Sequence, residues 1–159
     1  MKVPSIYLET TIFNFPFADD APQYKADTLK LFEEIKAGKF EPYTSVYTID
    51  ELQAEPNQDN RNRMMQIIAD YNIKVLEKNT KSDTLAGLYI QEGAVKASYL
   101  SDALHIAIAA VNRLDFIVSL NFQHIVKRKT IEKTAVINVR EGYKQIGIYQ
   151  PSEVINDDE

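Results

Sequence analysis

The stretch "SIYLETTIF", residues 5–13, joins a short apolar run to a carboxylate, Glu9. The run at residues 6–8 is typical of a buried strand, because it is short, apolar and followed by polar residues. An ionised carboxylate at the end of such a strand must be solvated, paired or bound to a cation, since burying it alone is very costly. The stretch therefore predicts a strand that carries a polar site at its carboxyl end.

Further strand-like and helix-like segments alternate along the rest of the chain. Helical periodicity lies between most of the short apolar or β-branched runs, which is typical of an α/β fold with a parallel sheet. We expect a three-layer α/β/α fold with a central, mostly parallel five-stranded sheet. The predicted strands are residues 6–8, 42–45, 73–76, 116–120 and 135–139, and the predicted helices are residues 24–36, 46–54, 60–71, 80–91 and 98–112.

Length and composition limit the class of protein. The chain has 159 residues, of which 45% are hydrophobic, so we expect one domain over residues 1–155 and an acidic, frayed tail at residues 156–159. It contains no cysteine, which excludes disulfides and thiolate zinc sites and favours a cytoplasmic location. No segment suits a signal peptide or a membrane span. The net charge of −5 argues against a broad basic surface for nucleic acid but leaves local patches open.

Four polar residues fall where the carboxyl ends of the predicted strands lie. Glu9 follows the first strand, Glu51 occurs in "SVYTIDELQ", Asp102 opens the apolar helix "YLSDALHIAIAA", and Asn121 follows "DFIVSL". Functional groups of open α/β sheets gather at this edge. Carboxylates that meet there repel one another unless a cation lies among them, and oxygen ligands suit Mg²⁺ or Mn²⁺. Asp102 would alternatively serve only the start of its helix, as a cap or dipole partner.

Four segments in order, "YLETTIF", "SVYTIDEL", "YLSDALHIAIAA" and "IVSLNFQHI", resemble the PIN-domain ribonucleases, a family that includes VapC-like toxins of toxin–antitoxin pairs. The resemblance implies hydrolysis of RNA phosphodiester bonds with one or two Mg²⁺ or Mn²⁺ ions. It also implies an antitoxin protein as a partner and a homodimer as the assembly. By motif, the four metal-binding and catalytic positions of the family fall on Glu9, Glu51, Asp102 and Asn121.

Two of these positions depart from the commonest family pattern, which has aspartate at both. Glu9 is one methylene longer, and Asn121 offers a neutral oxygen, so the net charge of the ligand set drops by one. We therefore expect weaker binding of a hard cation. A second function stays open: a PIN-like module that binds RNA or a protein while its weakened metal site no longer cuts.

Several neighbouring side chains have two interpretations each. Thr10 and Thr11 would place a hydroxyl near metal-bound water or phosphate, or would only form a turn or cap, and Ser119 would bond a ligand or phosphate or would simply end a strand. Asn121 would alternatively cap a helix that begins at Phe122. His105 and His124 would orient a carboxylate or be structural. The cations of "VKRK", residues 126–129, with Arg61 and Arg63, would contact an RNA backbone or be solvated.

Overall fold

The computed structural model describes residues 2–155, which form five strands, eight α-helices and two short 3₁₀ turns. The strands are β1 Ser5–Leu8, β2 Glu41–Ser45, β3 Lys74–Leu76, β4 Phe116–Val118 and β5 Gly147–Tyr149. The helices are α1 Thr11–Asn14, α2 Pro22–Lys36, α3 Val46–Gln53, α4 Gln58–Asp70, α5 Thr80–Gln91, α6 Leu100–Val111, α7 Arg128–Arg140 and α8 Pro151–Val154. The 3₁₀ turns are Phe15–Phe17 and Ala97–Tyr99.

All five strands are parallel, in the order β3-β2-β1-β4-β5. In this register Ile6 lies opposite Pro42 on one side and Phe116 on the other. Along the chain, β2 and then β3 are added on one side of β1, and β4 and then β5 are added on the other side. The order thus reverses between β1 and β4, and open α/β sheets form their binding crevices beyond the carboxyl ends of strands at such a point.

Successive side chains of β1 enter two different cores, because neighbouring residues of a strand point to opposite faces of the sheet. Tyr7 packs with α5, α6 and α7 on one face. Ile6 and Leu8 pack with α1, α2 and α4 on the other face. Both faces of the sheet are therefore covered by helices, which confirms the predicted α/β class and layer arrangement.

The prediction of the fifth strand was wrong. Residues 135–139 lie inside α7, and β5 is Gly147–Tyr149. The β-branched residues there favour a strand, but the buried side chains Thr130, Thr134, Ile137 and Asn138 recur at helical spacing. Val136 and Val139 are 67% and 60% exposed, so their apolar side chains lie on the outer face of the helix.

The other predicted segments agree more closely with the structure. Helix α5 has the predicted bounds, and the remaining predicted helices and the first four strands differ by a few residues at their ends. No helix begins at Phe122, where the chain forms a turn. Within residues 2–155 we find no helix that is long and apolar enough to cross a membrane. The predicted acidic tail at residues 156–159 lies outside the described residues, and the domain bounds stay a prediction.

Candidate active site

Glu9 lies at the point where β1 ends beside β4. Its backbone N–H donates to the carbonyl of Val118 over 3.1 Å, which joins the ends of the two strands. The side chain is only 3% exposed, yet three donors surround one of its oxygens. Oε1 accepts from Thr11 Oγ1 at 2.6 Å, from Thr11 N at 3.1 Å and from Ser119 Oγ at 2.7 Å. These hydrogen bonds explain how the carboxylate is accommodated after an apolar strand.

The two hydroxyls that bond Glu9 also fix the loop after β4. Thr11 Oγ1 accepts from the backbone N–H of Leu120 at 2.8 Å, and Ser119 Oγ accepts from that of Asn121 at 2.9 Å. Thr11 and Ser119 therefore link Glu9 to the segment that carries Asn121. Ser119 therefore does more than end a strand, because it bonds the carboxylate that we predict as a metal ligand, and Thr11 bonds the same carboxylate.

Asp102 and Asn121 form a second polar pair at the same edge of the sheet. Asp102 lies in the first turn of α6, and its Oδ1 accepts from Asn121 Nδ2 at 3.1 Å. Asn121 Oδ1 accepts from the backbone N–H of His124 at 3.0 Å, which closes a turn. The alternative role of Asn121, as the cap of a helix from Phe122, was therefore wrong.

The surroundings of Asp102 disfavour its charge. Burial raises the pKa of its carboxyl, and the negative charges of Glu9 and Glu51 raise it further, while His105 and His124 act in the opposite direction. Glu9, Glu51 and Asp102 are thus close enough to influence one another electrostatically. A bound cation would relieve this crowding.

Glu51, on α3, is bonded to a different group of side chains. Its Oε1 lies 2.7 Å from His105 Nε2 and also accepts from the Thr10 hydroxyl, and its Oε2 accepts from Ser101 Oγ at 2.8 Å. Burial opposes ionisation of Glu51, but its bond to His105 and the charge of His105, with the two hydroxyls, outweigh this effect. They lower the pKa of Glu51 to about 2, so it is ionised at neutral pH.

His105 is fully buried and is the centre of a hydrogen-bonded chain. Its Nδ1 lies 2.6 Å from the Tyr7 hydroxyl, which lies 2.7 Å from Ser45 Oγ. Burial alone would lower the pKa of the imidazole. Tyr7, the hydrogen bond to Glu51 and the charge of Glu9 outweigh burial, so the pKa lies well above its ordinary 6.5 and the ring is protonated beside Glu51.

Sequence reasoning missed Tyr7, Ser45 and Ser101 as parts of this network. Two local signals were available: Ser101 and His105 are four residues apart and share one face of α6, and Tyr7 is the one residue with a hydroxyl in the run at residues 6–8. Their convergence on Glu51 depends on how α3 packs against α6. The two arginines that we considered together with the 126–129 patch have partners within the protein. Arg61 donates to the carbonyl of Glu55, and the guanidinium of Arg63 lies over the ring of Phe17.

The donor set at the strand ends fits a hard divalent cation in part. All hydrogen bonds that residues 2–155 give to the Glu9 carboxylate end on Oε1, and the bond given to Asp102 ends on Oδ1. One oxygen of each carboxylate is therefore left for a cation. However, residues 2–155 contain no group of three or more acidic or histidine side chains placed to hold one ion, and Glu51 is bonded to His105.

Comparisons with known proteins show a similarity at the level of the fold. No protein-family model matches the chain, and no curated protein matches it significantly. Among solved structures, it is similar to a chain of the crystal structure of VapBC2 from Rickettsia felis bound to a DNA fragment from their promoter, with a TM-score of 0.58. The match covers 92% of this chain and 98% of that chain at 13% sequence identity, so it establishes similarity of fold.

Proposed function

We propose that this chain is a metal-dependent endoribonuclease that hydrolyses RNA phosphodiester bonds, as the toxin of a toxin–antitoxin pair. The observation that carries the proposal is the placement of Glu9 and Asp102 at the strand-order reversal, each with one carboxylate oxygen that accepts no hydrogen bond from residues 2–155. The four family-like motifs converge on this edge of the sheet. The fold similarity to a chain of the VapBC2 complex supports the same proposal.

In this proposal Glu9 and Asp102 hold Mg²⁺ or Mn²⁺, with Asn121 beside them. A bound divalent ion supplies a lowered pKa for water and stabilises charge on the scissile phosphate. Thr11 and Ser119 keep the Glu9 carboxylate in place, and Asn121 does the same for Asp102. Glu51 stays ionised at neutral pH, but the protonated His105 offsets its charge, so Glu9 and Asp102 supply the main attraction for a cation.

A groove next to these carboxylates offers room for a nucleotide. Its lining combines polar residues, Thr10, Thr11, Asn14, Glu51 and Glu55, with apolar residues, Leu52, Ala54, Pro56 and Met64. A groove with convergent polar groups and an apolar wall is the usual form of a small-ligand site. We assign it to the substrate strand.

Partners and location follow from the same proposal. The toxin function implies an antitoxin protein that covers the carboxylates, a homodimeric assembly and a cytoplasmic location. Co-expression with the product of a small neighbouring gene tests the antitoxin, since the two should copurify and cleavage should be inhibited.

The decisive experiment is cleavage of a mixed RNA pool by the pure protein with Mg²⁺ or Mn²⁺, and again with EDTA. Asp102→Asn should lower the rate roughly a hundredfold or more, since several kcal/mol of transition-state stabilisation depends on the ion. Asp59→Asn is the matched control, because Asp59 also lies in the first turn of a helix, α4, but is exposed. Full activity of a folded Asp102→Asn protein would contradict the proposal.

One observation favours the second function, a PIN-like binding module that does not cut. Glu51 is bonded to His105, Thr10 and Ser101, so it does not complete a three-carboxylate centre with Glu9 and Asp102. Binding of RNA without cleavage at any Mn²⁺ concentration would favour this module over the nuclease.

A further inference from the structure

A cationic pocket lies beside the candidate active site, between the turn after α5 and the start of α7. It is lined by residues 93–96 and by His124, Lys127, Lys129 and Thr130. Three of these residues, Lys96, Lys127 and Lys129, are lysines, and no carboxylate lines the pocket. We call this the lysine pocket.

The cations of the lysine pocket have no acidic partner among residues 2–155. Other surface cations do: Arg128 pairs with Glu132 at 3.0 Å, and Lys144 pairs with Asp115 at 2.7 Å. Lys96, Lys127 and Lys129 form no such ion pair within the described chain. In a protein of net charge −5, three unpaired lysines around one concavity create a local positive potential that suits an anion.

The backbone of the lysine pocket also favours an anion, as the lysine side chains do. Helix α7 has 13 residues and begins at Arg128, with no side-chain hydrogen bond at its N-cap, Lys127. The N–H groups of its first turn, which include those of the pocket residues Lys129 and Thr130, therefore receive no capping hydrogen bond from the Lys127 side chain. Such groups add to the attraction that the lysines exert on an anion.

The lysine pocket is linked to Asp102 by two hydrogen bonds. The backbone N–H of His124, a pocket residue, donates to Asn121, which in turn donates to Asp102. The ring of His124 also stacks on that of Tyr99 at 3.6 Å between centroids, and Tyr99 is partly exposed. An exposed aromatic ring next to a cationic pocket is the combination that binds single-stranded nucleic acid.

We propose that the lysine pocket binds a backbone phosphate of the RNA strand, next to the phosphate that is cleaved at Glu9 and Asp102. The identity of the strand rests on the proposed function. Phosphate suits the pocket because lysines bind it as point charges. The hydrogen-bonded link to Asn121 and Asp102 favours the substrate over an acidic protein as the occupant.

The test measures RNA binding in EDTA, where no cleavage can occur. The probe is a fluorescent single-stranded RNA of mixed sequence, and the variant is Lys127→Gln/Lys129→Gln. The control is Lys36→Gln/Lys39→Gln, which removes the same charge from exposed residues that precede β2. These residues lie on the side of the amino ends of the strands, away from the candidate active site. Both pairs are exposed, so we expect folded proteins with unchanged circular dichroism.

We expect the pocket variant to raise Kd about tenfold at low salt and to reduce the slope of log Kd against log salt concentration by about 1.4, which is roughly 0.7 for each lost contact. The control should change neither value. An unchanged slope in the pocket variant, or an equal change in the control, would overturn the assignment. So would displacement of the RNA by polyglutamate as effective as displacement by inorganic polyphosphate, because the site would then not select phosphate.

This result is independent of whether the protein cuts RNA. Weakened binding by the pocket variant without cleavage by the wild type would support the lysine pocket and contradict the nuclease. Cleavage by the wild type with unchanged RNA binding by the pocket variant would support the nuclease and contradict the lysine pocket.

Discussion

The imidazole of His105 lies 2.7 Å from the carboxylate of Glu51 and joins the centre of α6 to α3. His105 is fully buried, whereas Glu51 is partly open to the groove. The pair, with the hydroxyls of Thr10 and Ser101, thus occupies both carboxylate oxygens of Glu51. Binding of a cation by Glu51 would therefore compete with its hydrogen bond to His105.

Replacement of His105 should destabilise the fold more than replacement of the other histidine. His105→Ala removes a buried ring and takes one hydrogen-bond partner from each of Tyr7 and Glu51, so we expect the free energy of unfolding to fall by about 2–4 kcal/mol. His124→Ala removes a half-buried ring that stacks on Tyr99, and should lower the free energy of unfolding by less than about 1 kcal/mol. Urea unfolding measures both values. Equal losses would show that the His105 network adds nothing to stability.

The His105–Glu51 pair should give stability a maximum at mildly acidic pH. The folded pKa of Glu51, about 2, lies below the ordinary 4.5, so its contribution is present above pH 4.5 and is lost as pH falls toward 2. The folded pKa of His105 lies above the ordinary 6.5, so its contribution is complete below pH 6.5 and is lost as pH rises through the folded value. The pair therefore stabilises most between about pH 4.5 and 6.5.

Urea unfolding at pH 3, 5.5 and 8 measures this dependence, with Glu51→Gln as the comparison. The variant cannot ionise at position 51, so the loss of stability on acidification should be smaller than in the wild type. The loss between pH 5.5 and 8 should also shrink, because His105 then has a neutral partner. Parallel pH profiles of the two proteins would contradict the assigned pKa shifts.

Loss of the Ser119 hydroxyl should expose the cost of burying Glu9. Ser119→Ala removes a donor to Glu9 and the acceptor for the Asn121 N–H, so we expect a loss of about 1–3 kcal/mol in the free energy of unfolding. Ser98→Ala is the control, because Ser98 is exposed, and its change should stay within about 0.5 kcal/mol. A Ser119→Ala protein as stable as this control would mean that Glu9 is supported without the hydroxyl.

The change Asn121→Asp should have opposite effects with and without metal. The amide donates to Asp102, whereas a carboxylate in its place would repel Asp102 and Glu9, so the melting temperature in EDTA should fall. The added negative ligand should tighten binding of Mn²⁺, since affinity in oxygen sites follows ligand charge. Calorimetric titration measures the second effect. Equal Mn²⁺ affinities of the two proteins would remove Asn121 from the proposed cation site.

Local sequence patterns predicted the type of most elements but misplaced one strand. Helix α5 and strand β1 were recognisable because burial periodicity is a property of neighbouring residues. The segment 135–139 was predicted wrongly because its β-branched residues favour strands, whereas in the structure it is helical and packs Ile137 into the core. Tertiary burial outweighed local propensity there.

The sequence by itself determined that Glu9, Asp102 and Asn121 would reach one edge of a parallel sheet, because the ends of elements can be recognised locally and parallel strands align their carboxyl ends. Only the tertiary structure decided which side chains hold them. Ser119 bonds Glu9 across 110 residues of chain, and His105 bonds Glu51 across 54. Such contacts depend on strand register and helix packing, which no local pattern records, and they set the orientation and charge of each carboxylate.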